Sequence, residues 1–179
     1  KNTPRIIRLT ESFNETQRYA LQRCIRIMSR GMSEFQQIES LNGLEDMGHL
    51  DRYCYHVAGV VGEMLTELFC DYVEAVSPHR ETLMGLAVSF GQGLQMTNIL
   101  KDFWEDRERQ ACWLPQSVFR EVGCDLSTIS PERYDPSFGQ GMVRLVSVAQ
   151  SHLRNALEYT LYFPVREVGI RRFCLWALG

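Results

Sequence analysis

The chain has no CxxC pair, no apolar run near the length of a membrane span, no internal repeat and no low-complexity segment. Each gap removes a class of protein. The six cysteines are Cys24, Cys54, Cys70, Cys112, Cys124 and Cys174, and none is spaced for a zinc framework with His49, His56, His79 or His152. Four of these cysteines sit inside apolar helical runs, so buried free thiols in a reducing compartment are expected. No stretch reads as a transmembrane helix or a signal peptide. Strand signals are nearly absent, and no GxGxxG follows a strand. The formal net charge of −3 gives no electrostatic case for a nucleic-acid partner.

What remains is apolar and helical. Hydrophobic residues make up 45% of 179 residues, enough for one globular domain with a substantial core. Helical periodicity predicts a first helix from about Ser12 to Ile38, capped by Ser12 or Asn14, with Gly31 inside it marking a bend or a close contact. A second helix runs from about Asp46 to Val76. A third runs from about Arg80 to Arg107, a short one from Pro115 to Val122 and a fourth long one from about Phe138 to Tyr162. A final helix follows Pro164, with Ile170, Phe173, Cys174 and Ala177 inward. The chain begins at Lys1 and stops near the end of that helix, so it reads as a piece of a longer all-helical domain.

Chemistry concentrates in Gly91 to Asp106. Asn98, Asp102 and Asp106 fall at i, i+4 and i+8, so their side chains stack along one helix face, with Gln95 and Glu105 at its edge. Such a ladder could hold a hard cation, since magnesium takes one or two carboxylates plus substrate phosphates. A solvated helix end is the alternative, although the amides continue the polar face into an otherwise apolar helix. Arg107 and Arg109 could reach anionic phosphates or form a solvated charge cluster. In the second helix, Tyr53, Val57, Val61 and Leu65 repeat every four residues on one narrow face, and Gly59 and Gly62 lie on another side. Those glycines allow either a close helix approach or room for a bulky ligand. His56 has no assigned role.

Three blocks together resemble the squalene/phytoene synthases, the head-to-head prenyl diphosphate synthases. Tyr53-Cys54-Tyr55-His56-Val57-Ala58-Gly59-Val60-Val61-Gly62 is similar to the family's YCxxVAGxVG segment. The run from Gln95 to Asp106, closed by Trp113-Leu114-Pro115, is similar to its second aspartate-rich motif. Arg172-Phe173-Cys174 resembles the start of a later cavity-lining segment.

The resemblance implies an all-α isoprenoid-synthase bundle around a deep apolar cavity, with Mg2+ and two prenyl diphosphates. Asp102 and Asp106, with Glu105 as a weaker third, would bind the metal. Gln95, Asn98 and Lys101 would lie beside the diphosphate, Tyr53 near the reacting centre, and Val57, Val61, Leu65 and Phe173 along the prenyl channel. The nearest branch is squalene synthase, which joins two farnesyl diphosphates and reduces the product with NADPH. Phytoene or dehydrosqualene synthesis, and an inactive scaffold relative, are the alternatives. A cytoplasmic protein is expected, with membrane contact for an oily product. The sequence departs from the family in three ways. The first aspartate-rich motif is absent, so this stretch alone is expected to be inactive. Lys101 stands where arginine is common, and Ala111 where a basic residue is common.

Overall fold

A computed structural model describes residues 2–35, 40–133 and 135–179. Among them the regular structure is helical, in nine α-helices: α1 (Thr3–Glu11), α2 (Glu15–Phe35), α3 (Met47–Cys54), α4 (Val60–Tyr72), α5 (Arg80–Lys101), α6 (Phe103–Glu108), α7 (Gln116–Arg120), α8 (Pro136–Leu161) and α9 (Val168–Leu178). A π-turn, Tyr55–Gly59, joins α3 to α4. Short 3-10 turns occupy Glu74–His79 and Leu126–Thr128.

The expected helices are present, with four revisions. The first expected helix is divided: α1 precedes it, and α2 starts at Glu15 because Asn14 builds a reciprocal cap with Gln17. Asn14 Oδ1 accepts from the Gln17 N–H at 2.9 Å, and Gln17 Oε1 accepts from the Asn14 N–H at 3.3 Å. Its expected end, Ile38, lies outside the described residues. The second helix is broken by the π-turn and stops at Tyr72, because Val73 is extended and Pro78 sits in the turn that follows. The third bends at Asp102, which caps both α5 and α6. The fourth starts two residues early, at Pro136, because Asp135 caps it through the Ser137 and Phe138 N–H groups.

Helix α5 is the central element and packs against α4, α8 and the π-turn. Where α5 meets the preceding segment there is no room for side chains. A Cβ on Gly62 would lie 2.3 Å from the Ala87 carbonyl oxygen, and one on Gly91 2.4 Å from that of Ala58. Pairing 62 with 87 and 58 with 91 makes the two segments antiparallel. Close approach, rather than vacant space, is therefore the main use of these glycines.

Two apolar cores flank this crossing. One gathers Leu50, Met96, Ile99, Phe103, Leu114 and Phe119 near the acidic end of α5. The other gathers Val76, Leu83, Phe90, Ala156, Tyr159 and Phe163 at the opposite end. All six cysteines are buried free thiols, as expected. Burial pushes the Cys54 thiol up to about 12, with the Asp51 charge adding to it. The thiols are therefore expected to resist Ellman's reagent at pH 8 in the folded protein and to react on unfolding. Rapid native labelling of two or more would contradict this packing.

Candidate active site

Two recesses lie end to end along the crossing of α3, the π-turn and α4 with α5. The first is a polar cleft of about 330 Å³ lined by Tyr53, Gln95, Asn98, Ile99, Asp102, Asp106 and Trp113. The second is an apolar cavity of about 280 Å³, whose walls include Val57, Val61 and Leu65 on one side and Ala87, Gly91 and Leu94 on the other. Positions move from cleft to cavity in step on both walls, from Tyr53 to Val57 and from Gln95 to Leu94. From Asp102 to Ala87 the groove runs about 22 Å at 1.5 Å per residue.

The alignment of Tyr53 with Val57, Val61 and Leu65 depends on the π-turn. In a regular α-helix each four-residue step overshoots a full turn by about 40°, so four such positions fan across roughly 120°. The π-turn inserts one residue and takes back roughly 100° of that drift. Spacing alone makes these residues neighbours; the inserted residue makes their face narrow.

Tyr53 is 7% exposed and stacks on Trp113, with ring centroids 4.3 Å apart and planes 8° from parallel. Phe35 meets its edge at 5.1 Å. Trp113 is delivered by an irregular segment pinned to the loop before α3. The Leu44 N–H donates to the Leu114 carbonyl at 2.9 Å, and the Gln116 N–H donates to the Leu44 carbonyl at 2.7 Å. Burial, then the Cys54 and Asp106 charges, push the Tyr53 phenol up to about 12. The ring therefore stays neutral near pH 7 and can donate a hydrogen bond into the cleft.

Asp102 and Asp106 sit on consecutive turns across the bend, with the Asp106 N–H donating to the Asp102 carbonyl at 2.9 Å. Burial raises the Asp106 carboxyl; Arg109 pulls it down, and Asp102 and Glu105 push it up again. A half-buried carboxylate beside other carboxylates favours a bound cation. Among the described residues no three His, Cys, Asp or Glu side chains converge as a metal cage. The donors on this chain are thus two carboxylates with the amides of Gln95 and Asn98, a set that fits magnesium with its other positions left to water or phosphate.

The other sequence candidates fall at or beyond the edge. Glu105 is exposed and does not line the cleft, being one residue round the helix from Asp106. Lys101 points outward, with its side chain 68% exposed and Nζ 3.5 Å from Asp102 Oδ1. Phe173 lines the cavity while remaining half exposed. Arg107 is taken up by the fold: it donates to the Leu126 and Ile129 carbonyls, both at 2.9 Å, and lies over the Phe103 ring. Arg109 is the arginine near the acidic ladder. Ala111 closes α6, its N–H donating to the Asp106 carbonyl at 2.9 Å after Gln110 takes a φ of 62°.

Sequence reasoning passed over Trp113 as a cleft residue and Phe69, Phe90 and Tyr159 as cavity walls. Trp113 closes a block already singled out; the other three carry no local signal beyond being apolar in helices.

An all-helical bundle with an acidic cleft beside an apolar cavity fits the all-α isoprenoid-synthase class. The squalene/phytoene synthase family model matches residues 1–179, and the chain belongs to that family. It is 36% identical over 98 residues to squalene synthase ERG9 of Gibberella zeae, covering 54% of this chain and 21% of that protein. It is 35% identical over 106 residues to phytoene synthase of Thermus thermophilus, covering 59% of this chain and 34% of that protein. Squalene synthase 1 of Arabidopsis thaliana is 29% identical over 161 residues, 87% of this chain and 37% of that protein. The chain thus spans well under half the length of these relatives. The solved structure of TcSQS with the ligand BPH1237 shares the fold at a TM-score of 0.75 and 23% identity, over 88% of this chain and 45% of that one. YisP from Bacillus subtilis shares it at 0.61 and 19% identity, over 98% and 75%. Among the described residues no helix is long and apolar enough to cross a membrane.

Proposed function

We propose that this chain forms one wall of a squalene synthase active site, in which two farnesyl diphosphates are joined head to head. The observation that carries the reading is the order of the two recesses along α5, an acidic and amide-lined cleft followed by an apolar cavity. A prenyl diphosphate has the same order of parts, a polyanionic head on a hydrocarbon chain.

In this reading Asp102 and Asp106 would hold Mg2+, and Asn98 and Gln95 would hydrogen-bond to the diphosphate. Bound magnesium would neutralise charge on the leaving diphosphate. Lys101 and Glu105 would act from the cleft's outer edge. Tyr53, neutral and stacked on Trp113, offers its O–H dipole near the carbon that loses the diphosphate. Val57, Val61, Leu65 and Phe173 hold the chain and exclude water from the allylic cation. Condensation to presqualene diphosphate releases one diphosphate and one proton; conversion to squalene then takes a hydride from NADPH and releases the second diphosphate.

Phytoene or dehydrosqualene synthesis is the second reading, favoured by the 35% identity to a phytoene synthase. It ends by proton loss and needs no NADPH. An inactive scaffold relative is the third, favoured by Ala111 at a position where the family carries charge.

Product analysis separates them. The full-length protein, given farnesyl diphosphate and Mg2+, is expected to yield squalene only when NADPH is added. A dehydrogenated product regardless of NADPH selects the second reading, and no turnover with farnesyl or geranylgeranyl diphosphate the third. Within an active protein, Tyr53→Phe is expected to lower kcat by about ten- to a hundredfold while KM changes little, the pattern of a lost transition-state contact. An unchanged kcat would make Tyr53 a packing residue.

A further inference from the structure

The π-turn is gripped from two sides by positions that cannot carry a side chain. On the α5 side, a Cβ on Gly91 would come within 2.4 Å of the Ala58 carbonyl oxygen. On the α2 side, a Cβ on Gly31 would lie 2.1 Å from His56 Cγ and 2.3 Å from its Nδ1. The His56 ring thus fills a notch in α2 that exists only because residue 31 is glycine. It lies 6.2 Å from Phe35 and 5.4 Å from Tyr55, and Phe35 in turn meets the edge of Tyr53. The ring's Nδ1 is buried without a partner among the described residues. A buried polar atom left unpaired is costly, so the interaction that holds this side of the ring is its fit to the Gly31 notch.

We propose that His56 is a positioning residue: lodged in the Gly31 notch, it holds the π-turn that keeps Tyr53 in line with Val57, Val61 and Leu65 on the substrate groove. Without that wedge, the extra residue of the π-turn can be released by a shift of register at α3 or α4. Such a shift turns Tyr53 away from the chain-binding wall by about the 100° that one residue represents. His56 itself does not touch the groove. The role rests on the function proposed above, but the local geometry does not.

The test uses the full-length protein with His56→Ala, His56→Phe, Gly31→Ala and the Gly31→Ala/His56→Ala pair. Amide hydrogen exchange read on peptides spanning residues 53–62 is expected to quicken at least tenfold in His56→Ala and in Gly31→Ala, with α8 unchanged. In the same variants kcat is expected to fall about tenfold or more, with KM for farnesyl diphosphate within about twofold of the parent. The double variant is expected to be no worse than His56→Ala, because a Cβ at residue 31 harms only when the ring is present. His56→Phe is expected to restore most of both readouts, since it supplies ring shape without ring nitrogens. Unchanged exchange over 53–62, additive losses in the pair, or a His56→Phe variant as poor as His56→Ala would each overturn the proposal. If His56→Ala does not fold, the comparison of His56→Phe with Gly31→Ala decides. An inactive parent protein sinks the squalene synthase reading and leaves the exchange data to judge the wedge.

Discussion

Replacing Asp106 with asparagine in the full-length protein is expected to cut turnover by about 10²–10³-fold, the scale seen when one electrostatic stabiliser is removed from an active site. Asp102→Asn is expected to do the same. Neither change should unfold the protein, and Asp106→Asn should make the metal-free form more stable near neutral pH. The sign follows from the Asp106 carboxyl, which burial raises above its ordinary range, with Asp102 and Glu105 adding to the rise against the pull of Arg109. A carboxyl raised in the folded state gives stability that is present below its unfolded pKa and lost as pH climbs through the folded value. At neutral pH the folded protein therefore carries an unfavourable charge, which the isosteric amide removes. Thermal melts with and without Mg2+ and a farnesyl diphosphate analogue check both halves. The parent should gain stability from the ligands by mass action, and the variant should gain far less. Activity within a few-fold of the parent, or equal ligand-induced shifts, would remove Asp106 from the metal site.

The second large effect is structural. Gly62→Ala and Gly91→Ala each place a methyl against a backbone carbonyl, 2.3 Å from Ala87 O and 2.4 Å from Ala58 O. A backbone oxygen cannot swing aside as a side-chain tip can, so α5 must move off the preceding segment. Each alanine is expected to cost about 3 kcal/mol, the upper end for overpacking a core, read as a lower urea midpoint at unchanged slope. Gly85→Ala is the control on the same helix. Nothing lies within 4 Å of a Cβ there, and the position is exposed. It is expected to stabilise by about 0.5–1 kcal/mol through helix propensity alone. Equal responses at 62, 85 and 91 would contradict the close crossing.

Much of this protein is legible before folding. Apolar spacing sets the helices and their inward faces, because a helix buries whatever recurs near 3.6 residues. The i, i+4, i+8 order of Asn98, Asp102 and Asp106 puts them on one face even though the helix bends at Asp102, since the Asp106 N–H still bonds to the Asp102 carbonyl. Gly59 and Gly62 mark either a close approach or room for a ligand, and at Gly62 a neighbouring backbone does come close. The helical class follows from residue pattern in the same way, the regular structure of the described residues being helical.

Other features belong to the tertiary structure alone. Lys101 and Glu105 neighbour the ladder in sequence, yet they stand outside the cleft because one helical residue is about 100° of rotation. Arg107 reads in sequence as a phosphate contact or a solvated charge, and it is neither: two loop carbonyls and an aromatic face engage it. Trp113 stacks on Tyr53 where Leu44 pins the segment beside it, a contact across 60 positions of sequence that no local pattern encodes. The π-turn depends on Gly31 from one helix and Gly91 from another. Local preference chooses helices; only the meeting of three of them decides that one turn should hold an extra residue, and so where the tyrosine points.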